Sequence, residues 1–317
     1  MTADDETVAG LGEFGLIRAV TENRRHPAAT LLGPGDDAAV VAAPDRRVVA
    51  TTDMLVQGVH FRFDWSTPEQ VGRKAVAVNL ADVAAMGAVP TSLLVGLACP
   101  ADTPAALVTE LVDGMWAEAD RAGAGLSGGD MVRADEIVVS ITALGDLAGR
   151  APVTRSGARR GDVVAVHGRL GWAAAGLAVL GRGFRSPVNV VNAQRVPEPD
   201  YAAGPAAADA GATAMIDVSD GLLADLGHVA RASGVGIDVR TDCLGVSDRL
   251  VEVGSALGAD PLRWVLTGGE DHALAATFPS SAELPAGWRR IGSVTATGSV
   301  TVNGEAYHEE GGWEHWR

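Results

Sequence analysis

Residues 67–88 read Thr-Pro-Glu-Gln-Val-Gly-Arg-Lys-Ala-Val-Ala-Val-Asn-Leu-Ala-Asp-Val-Ala-Ala-Met-Gly-Ala. Thr67 has the chemistry of a helix cap, Pro68 suits the first helical position, and Gln70 follows the cap at the spacing of a capping box. Val71, Ala75 and Val78 then recur on one stripe that runs on to Asp82, and Gly87 reads as the helix end. This segment predicts a long helix that carries a carboxylate near its C-terminal end.

On either side of that helix lie strand-like runs, Val48-Val49-Ala50 before it and Leu93-Leu94-Val95 after it. Thr103-Pro104 opens a second helix whose Leu107, Leu111 and Met115 recur every four residues and whose end falls in the Gly123 to Gly125 turn. Ile137 to Thr142 is a clear strand. Strands alternating with helices predict an α/β fold.

The 317 residues suffice for two buried cores, and the Arg- and Gly-rich stretch from Ala148 to Asp162 marks the boundary. We therefore expect domains at 1–149 and 150–317. In the second, Val163 to Val166 and Ala214 to Val218 read as strands, Gly221 to Ala232 as a helix, and Gly236 to Arg240, Trp264 to Leu266 and Ala273 to Phe278 as further strands. The Ala-rich stretch Ala202 to Ala214 reads as a helix.

Composition narrows the function. Forty acidic against 25 basic residues leave a net charge of −15, which opposes approach to nucleic acid or an anionic lipid surface. No apolar run approaches the roughly 20 residues that span a bilayer, and the acidic N-terminus does not look like a secretion signal. A cytoplasmic protein with no membrane partner is expected. Cys99 and Cys243 lack metal or redox spacing and read as buried free thiols.

The aspartates carry the chemistry. Asp36 and Asp37 follow Gly33-Pro34-Gly35, Asp53 follows a strand, Asp82 lies on the first helix, Asp130 follows Ser127-Gly128-Gly129, and Asp217 and Asp220 flank Ser219. One Asp beside Gly is most often only a turn former. As a set, carboxylates at element ends can converge, and such oxygen ligands suit Mg²⁺ together with phosphate. Two carboxylates about 4 Å apart repel by about 4 kcal/mol at an effective dielectric near 20, so convergence calls for cations. No Walker loop occurs, and the two GxGxxG matches, from Gly10 and Gly123, lack a preceding strand.

Several segments together resemble the thiamine-monophosphate kinase family, part of the ATP-binding superfamily of aminoimidazole ribonucleotide synthetase and selenophosphate synthetase. They are Gly12-Glu13-Phe14, Gly35-Asp36-Asp37-Ala38, Thr51-Thr52-Asp53, Gly58-Val59-His60-Phe61, Asn79 to Ala88, Gly128-Gly129-Asp130 and Thr154 to Ala158. Further on come Asp217-Val218-Ser219-Asp220-Gly221-Leu222, Gly268-Gly269-Glu270-Asp271 and Gly312-Trp313-Glu314-His315.

The resemblance implies a two-domain α/β (α+β) fold like that of aminoimidazole ribonucleotide synthetase. Its amino-terminal domain would form a dimeric β-barrel, its carboxy-terminal domain would be α/β, and ATP would lie at the subunit and domain junction. It implies a homodimer that transfers phosphate from ATP to thiamine phosphate in line, giving thiamine diphosphate and ADP.

Carried over by motif, Asp36, Asp53, Asp82, Asp130 and Asp217 would be the catalytic acids. With Thr51, Thr52 and Asp220 they would hold several Mg²⁺ ions. Gly129, Asp130, Arg155 and Ser219 would contact ATP, while His60, Glu270 and Trp313 would contact the acceptor. The chain departs from the family where Leu111-Val112 replaces an aromatic residue before Gly114, which leaves the base preference open. Two other readings remain: a synthetase of the same superfamily with another acceptor, and a nucleotide-binding regulator without turnover. The absence of a cysteine before Cys99 speaks against a selenophosphate synthetase.

Overall fold

The computed structural model describes residues 7–34, 38–296 and 298–307. By its internal contacts the chain divides into two compact units, Met1–Val83 with Val89–Ala148, and Ala84–Ala88 with Gly149–Arg317. No helix among the described residues is long and apolar enough to cross a membrane.

The first unit opens with α1 (Val8–Thr21), kinked at Gly12, and the small β1 (Thr30–Leu32) and β2 (Val40–Val41) pair. There follow β3 (Val49–Val56), α2 (Pro68–Ala85), β4 (Val89–Cys99), α3 (Ala105–Ala122), β5 (Gly125–Arg133) and β6 (Val138–Asp146). The main sheet runs β3-β6-β4-β5, with β4 and β5 parallel across α3 and the other pairs antiparallel. Among the described residues this sheet is open, and no closed barrel is present.

The capping box at Thr67 is formed: the Thr67 N–H donates to Gln70 Oε1 at 3.0 Å and the Gln70 N–H donates to Thr67 Oγ1 at 3.3 Å. It satisfies amides that the first turn leaves without helical partners. Gly72 of α2 and Gly114 of α3 then let these helices meet backbone to backbone. A Cβ at Gly72 would lie 1.8 Å from the Leu111 carbonyl oxygen, and one at Gly114 would lie 2.0 Å from that of Glu69.

The second unit carries a seven-stranded sheet in the order β13-β12-β9-β11-β7-β10-β8. Its strands are β7 (Val163–His167), β8 (Ala214–Val218), β9 (Gly236–Val239), β10 (Ala273–Phe278), β11 (Arg289–Thr295), β12 (Val300–Val302) and β13 (Glu305–Ala306). Helices α4 (Trp172–Gly181), α5 (Val188–Arg195), α6 (Ala203–Asp209), α7 (Leu222–Ser233), α8 (Asp248–Leu257) and α9 (Pro261–Thr267) complete it. One core cluster joins Met215, Phe278 and Trp288 to Ala84, Ala85 and to Ala203 and Ala207 of α6.

Four expectations change. Trp264 to Leu266 is not a strand but the middle of α9, because Asp260 caps it by accepting from the Leu262 N–H at 2.9 Å and Pro261 takes its first position. A three-residue apolar run cannot by itself distinguish strand from helix. Asp53 and Asp130 lie within strands rather than beyond a strand or at a glycine turn. Cys99 is a buried free thiol, but Cys243 is exposed.

The α2–α3 crossing leaves no room for a methyl group. Gly114→Ala should lower stability by about 1–3 kcal/mol, the usual cost of overpacking, read as a lower denaturant midpoint at unchanged slope.

Candidate active site

In the first unit the site residues are set out by strand alternation. Asp53 pairs with Ile141 and Thr51 with Ala143, so both share the sheet face of those buried β6 residues. Residues of α2 meet this side of β3. The Thr51 hydroxyl donates to Asp82 Oδ2 at 2.9 Å, and the Asp53 N–H donates to Asn79 Oδ1, also at 2.9 Å. Asn79 is itself held, because its Nδ2 donates to the Ala75 carbonyl at 2.9 Å. The helix thus orients a carboxylate, a hydroxyl and the backbone of a second carboxylate together.

Thr52 and Asp130 are not brought to that group by their side chains. Thr52 alternates to the opposite face, and its hydroxyl donates to the Ile141 carbonyl at 3.0 Å. Asp130 pairs with Gly96, which pairs with Ser140, which pairs with Met54. That ladder puts Asp130 on the face of Thr52, three strand spacings or about 14 Å from β3. Its Oδ1 accepts from the Met131 N–H at 2.8 Å. Gly129 lies beside it, opposite Val95 in β4.

His60 sits in the turn after β3. Its Nδ1 accepts from the Val56 N–H at 3.0 Å, and its carbonyl accepts from Lys74 Nζ at 3.2 Å. An Nδ1 that accepts leaves the neutral ring with its proton on Nε2, so His60 is a hydrogen-bond donor on its outer nitrogen.

The second unit gathers its site where β8 runs into α7. Asp217 is buried one residue before the end of β8, and Ser219 and Asp220 follow in the turn. Asp225, in the first turn of α7, is only 2% exposed, and its Oδ2 accepts from the Asp220 and Gly221 N–H groups, each at 3.0 Å. Burial first, then repulsion from Asp217 and from Asp220, pushes its carboxyl up to about 7. Asp220, Asp225 and His228 offer ligand atoms within 4.8 Å of one another. Burial first, then the charges of Arg231 and Arg155, depress His228, and Asp220 opposes them, so Arg155 and Asp220 both act on this imidazole.

The loop from Gly268 to His272 closes over that turn. The Glu270 N–H donates to the Ser219 carbonyl at 2.8 Å, and the His272 N–H donates to that of Val218 at 3.0 Å. Gly269 is needed there, since a Cβ would lie 2.2 Å from the Ser219 oxygen. Glu270 and His272 both hold positive φ, 68° and 51°, conformations that cost energy and concentrate at functional sites. Asp271 turns its carboxyl onto the start of α4, accepting from the Gly171 N–H at 2.6 Å and the Ala173 N–H at 2.9 Å. Burial of that carboxyl pushes it up to about 7.

Motif reading thus quoted Asn79 and Asp271 without giving them a role, and missed Asp225 and His272. Asp225 was open to detection as an acid in the first turn of the helix behind Asp220. Asp36 and Trp313 lie outside the described residues. The donors in the first unit are carboxylate and hydroxyl oxygens, those in the second are carboxylates beside the His228 imidazole, and there burial and crowding push the Asp225 carboxyl up to about 7. Both features fit a hard divalent cation such as Mg²⁺.

A folded-state pKa raised to about 7 gives stability that is present in acid and is lost as pH rises from about 4 through 7. Asp225→Asn removes that loss, so the stability of the variant relative to the parent should improve from pH 5 to pH 8 by roughly 3 kcal/mol. Urea denaturation at the two pH values measures it, and a gap that does not change with pH would contradict the shift.

Comparison with known proteins identifies the family. The model for "AIR synthase related protein, N-terminal domain" matches residues 35–147, and that for its C-terminal domain matches residues 159–304. A thiamine-monophosphate kinase of Mycobacterium tuberculosis is 54% identical, covering 99% of this chain and 94% of its own. That of Corynebacterium glutamicum is 44% identical, covering 98% and 95%. Among solved structures, one described as AaThiL complexed with AMPPCP and TMP superposes with a TM-score of 0.80 at 33% identity, covering 96% of this chain and 97% of that one. On fold, end-to-end identity and motif order, the chain belongs to the thiamine-monophosphate kinase family, with the two-domain architecture of the AIR synthase related proteins.

Proposed function

We propose that the chain transfers the terminal phosphoryl group of ATP to thiamine phosphate, giving thiamine diphosphate and ADP, in a Mg²⁺-dependent in-line step without a phosphoenzyme. The observation that carries the geometric reading is the crowding of Asp217, Asp220 and Asp225, which would be costly without a cation. The 33%-identical relative described with AMPPCP and TMP supports the choice of substrates.

In this reading Asp53, Asp82 and Thr51 hold cations from the first unit and Asp217 and Asp220 from the second, with Asp36, Asp130 and Thr52 as further ligands. When bound, Mg²⁺ would neutralise the charge on donor and acceptor phosphates and clamp them for displacement. Arg155, Gly129 and Ser219 bind ATP, and the Arg155 guanidinium supplies a planar fork for phosphate oxygens. His60 donates from Nε2 to the acceptor rather than acting as a base. Glu270 engages the aminopyrimidine, and Trp313 offers an aromatic face to the cationic ring. Residues 1–149 form the ATP, cation and dimerisation domain, and residues 150–317 form its α/β partner.

A homodimer is part of the proposal. Met54, Leu94 and Val132 lie on the Asp130 face of the open sheet and are 55%, 38% and 55% exposed. An apolar sheet face of this kind suits a second copy of the chain. Leu94→Glu with Val132→Glu should then give monomers in sedimentation velocity. A parent chain that is itself monomeric at 50 µM (about the concentration such runs use) would reject the dimer.

Activity is tested with purified protein, ATP, Mg²⁺ and thiamine phosphate, detecting thiamine diphosphate directly. EDTA should abolish turnover, and Asp217→Asn should lower kcat by at least about 100-fold. No thiamine diphosphate from the parent would overturn the acceptor assignment. Parent-like turnover by the variant would overturn the cation assignment.

A further inference from the structure

We propose that His272 is a positioning residue for Asp217, fixing which carboxylate oxygen is presented to a cation. This inference rests on reading Asp217 as a cation ligand. His272 Nδ1 and Asp217 Oδ2 are 3.0 Å apart, and both side chains are 5% exposed. A carboxylate oxygen only accepts, so the ring carries its proton on Nδ1 and donates. With Oδ2 engaged, Oδ1 is the oxygen left for a ligand.

Three further observations show that the arrangement is built. His272 holds φ at 51°, a conformation uncommon for a side-chain-bearing residue, and it is this backbone that delivers the ring to Asp217. The loop bearing it is pinned to the same segment at successive points, through the His272 N–H on Val218 and the Glu270 N–H on Ser219. Its far side is anchored by Asp271 on the Gly171 and Ala173 amides. The residue assigned to the acceptor, Glu270, and the one that orients Asp217 are thus two positions apart on one clamped loop. Histidine and carboxylate pairs behind a metal centre fix ligand orientation in this way, and losing the outer partner commonly costs 10–100-fold in metal affinity.

Two substitutions separate the hydrogen bond from the strain. His272→Asn places an amide N–H near the position of Nδ1 and tolerates positive φ, whereas His272→Gly relieves the strain but removes the donor. Mn²⁺ binding, followed by electron paramagnetic resonance of the free ion, reads affinity without turnover, and Asp217→Asn defines the class of site concerned. His272→Asn should bind within about threefold of the parent, and His272→Gly about 10–100-fold more weakly. In steady-state kinetics the glycine variant should require more Mg²⁺ for half-maximal rate, with kcat largely recovered at saturation.

Parent-like Mn²⁺ affinity in a folded His272→Gly, with Asp217→Asn impaired, overturns the inference and leaves the cation reading standing. Parent-like affinity in Asp217→Asn overturns both. Should the glycine variant not fold, ¹⁵N-histidine spectra of the parent protein decide. A His272 proton on Nδ1 whose signal moves when Mg²⁺ is added supports the inference. A ring protonated only on Nε2, or a signal unmoved by saturating Mg²⁺, overturns it.

Discussion

Like charges that fold into one place must be held there, and this constraint organises the second unit. Asp217 lies one residue before the end of β8, Asp220 follows in the turn, and Asp225 sits behind both in the first turn of α7. Two backbone amides hold the Asp225 carboxyl in position, yet burial and its two acidic neighbours still push it up to about 7. Donors of this strength would ordinarily favour the carboxylate. Desolvation and repulsion outweigh them, so the carboxyl stands well above the ordinary carboxylate range.

The same problem is solved differently in the first unit. There the acids are held by α2 rather than crowded together: Asn79 fixes the backbone of Asp53, and Thr51 binds the Asp82 carboxylate. The capping box that starts α2 and the bare-backbone crossing at Gly72 and Gly114 set where that helix lies, and so where Asn79 and Asp82 reach β3. Stability and chemistry are linked through one helix, and its small residues serve the site indirectly.

How far this was legible in the sequence varies with the range of the interaction. Thr67, Pro68 and Gln70 predicted the start of α2 because capping is local, and β8 and β10 fell where their apolar runs lay. Asp217 and Asp220 stood out through their motif. Trp264 to Leu266 did not reveal its state, because three apolar residues carry no period and Asp260 decided the matter. The face on which Asp130 lies depends on ladder register across four strands, which no local pattern records. The pairing of His272 with Asp217 spans 55 residues and depends on a positive φ that histidine does not announce.

The central proposal is that a divalent cation binds the acid cluster at the β8–α7 turn, and a cation bound there would displace the proton that Asp225 partly holds. The most direct measurement is proton uptake or release on adding Mg²⁺ at pH 7, obtained by calorimetry in buffers of different ionisation enthalpy. With Asp225 near half-protonated at that pH, the account predicts release of roughly half a proton per chain, absent in Asp225→Asn. Binding of Mg²⁺ without proton release, or equal release from that variant, would contradict it.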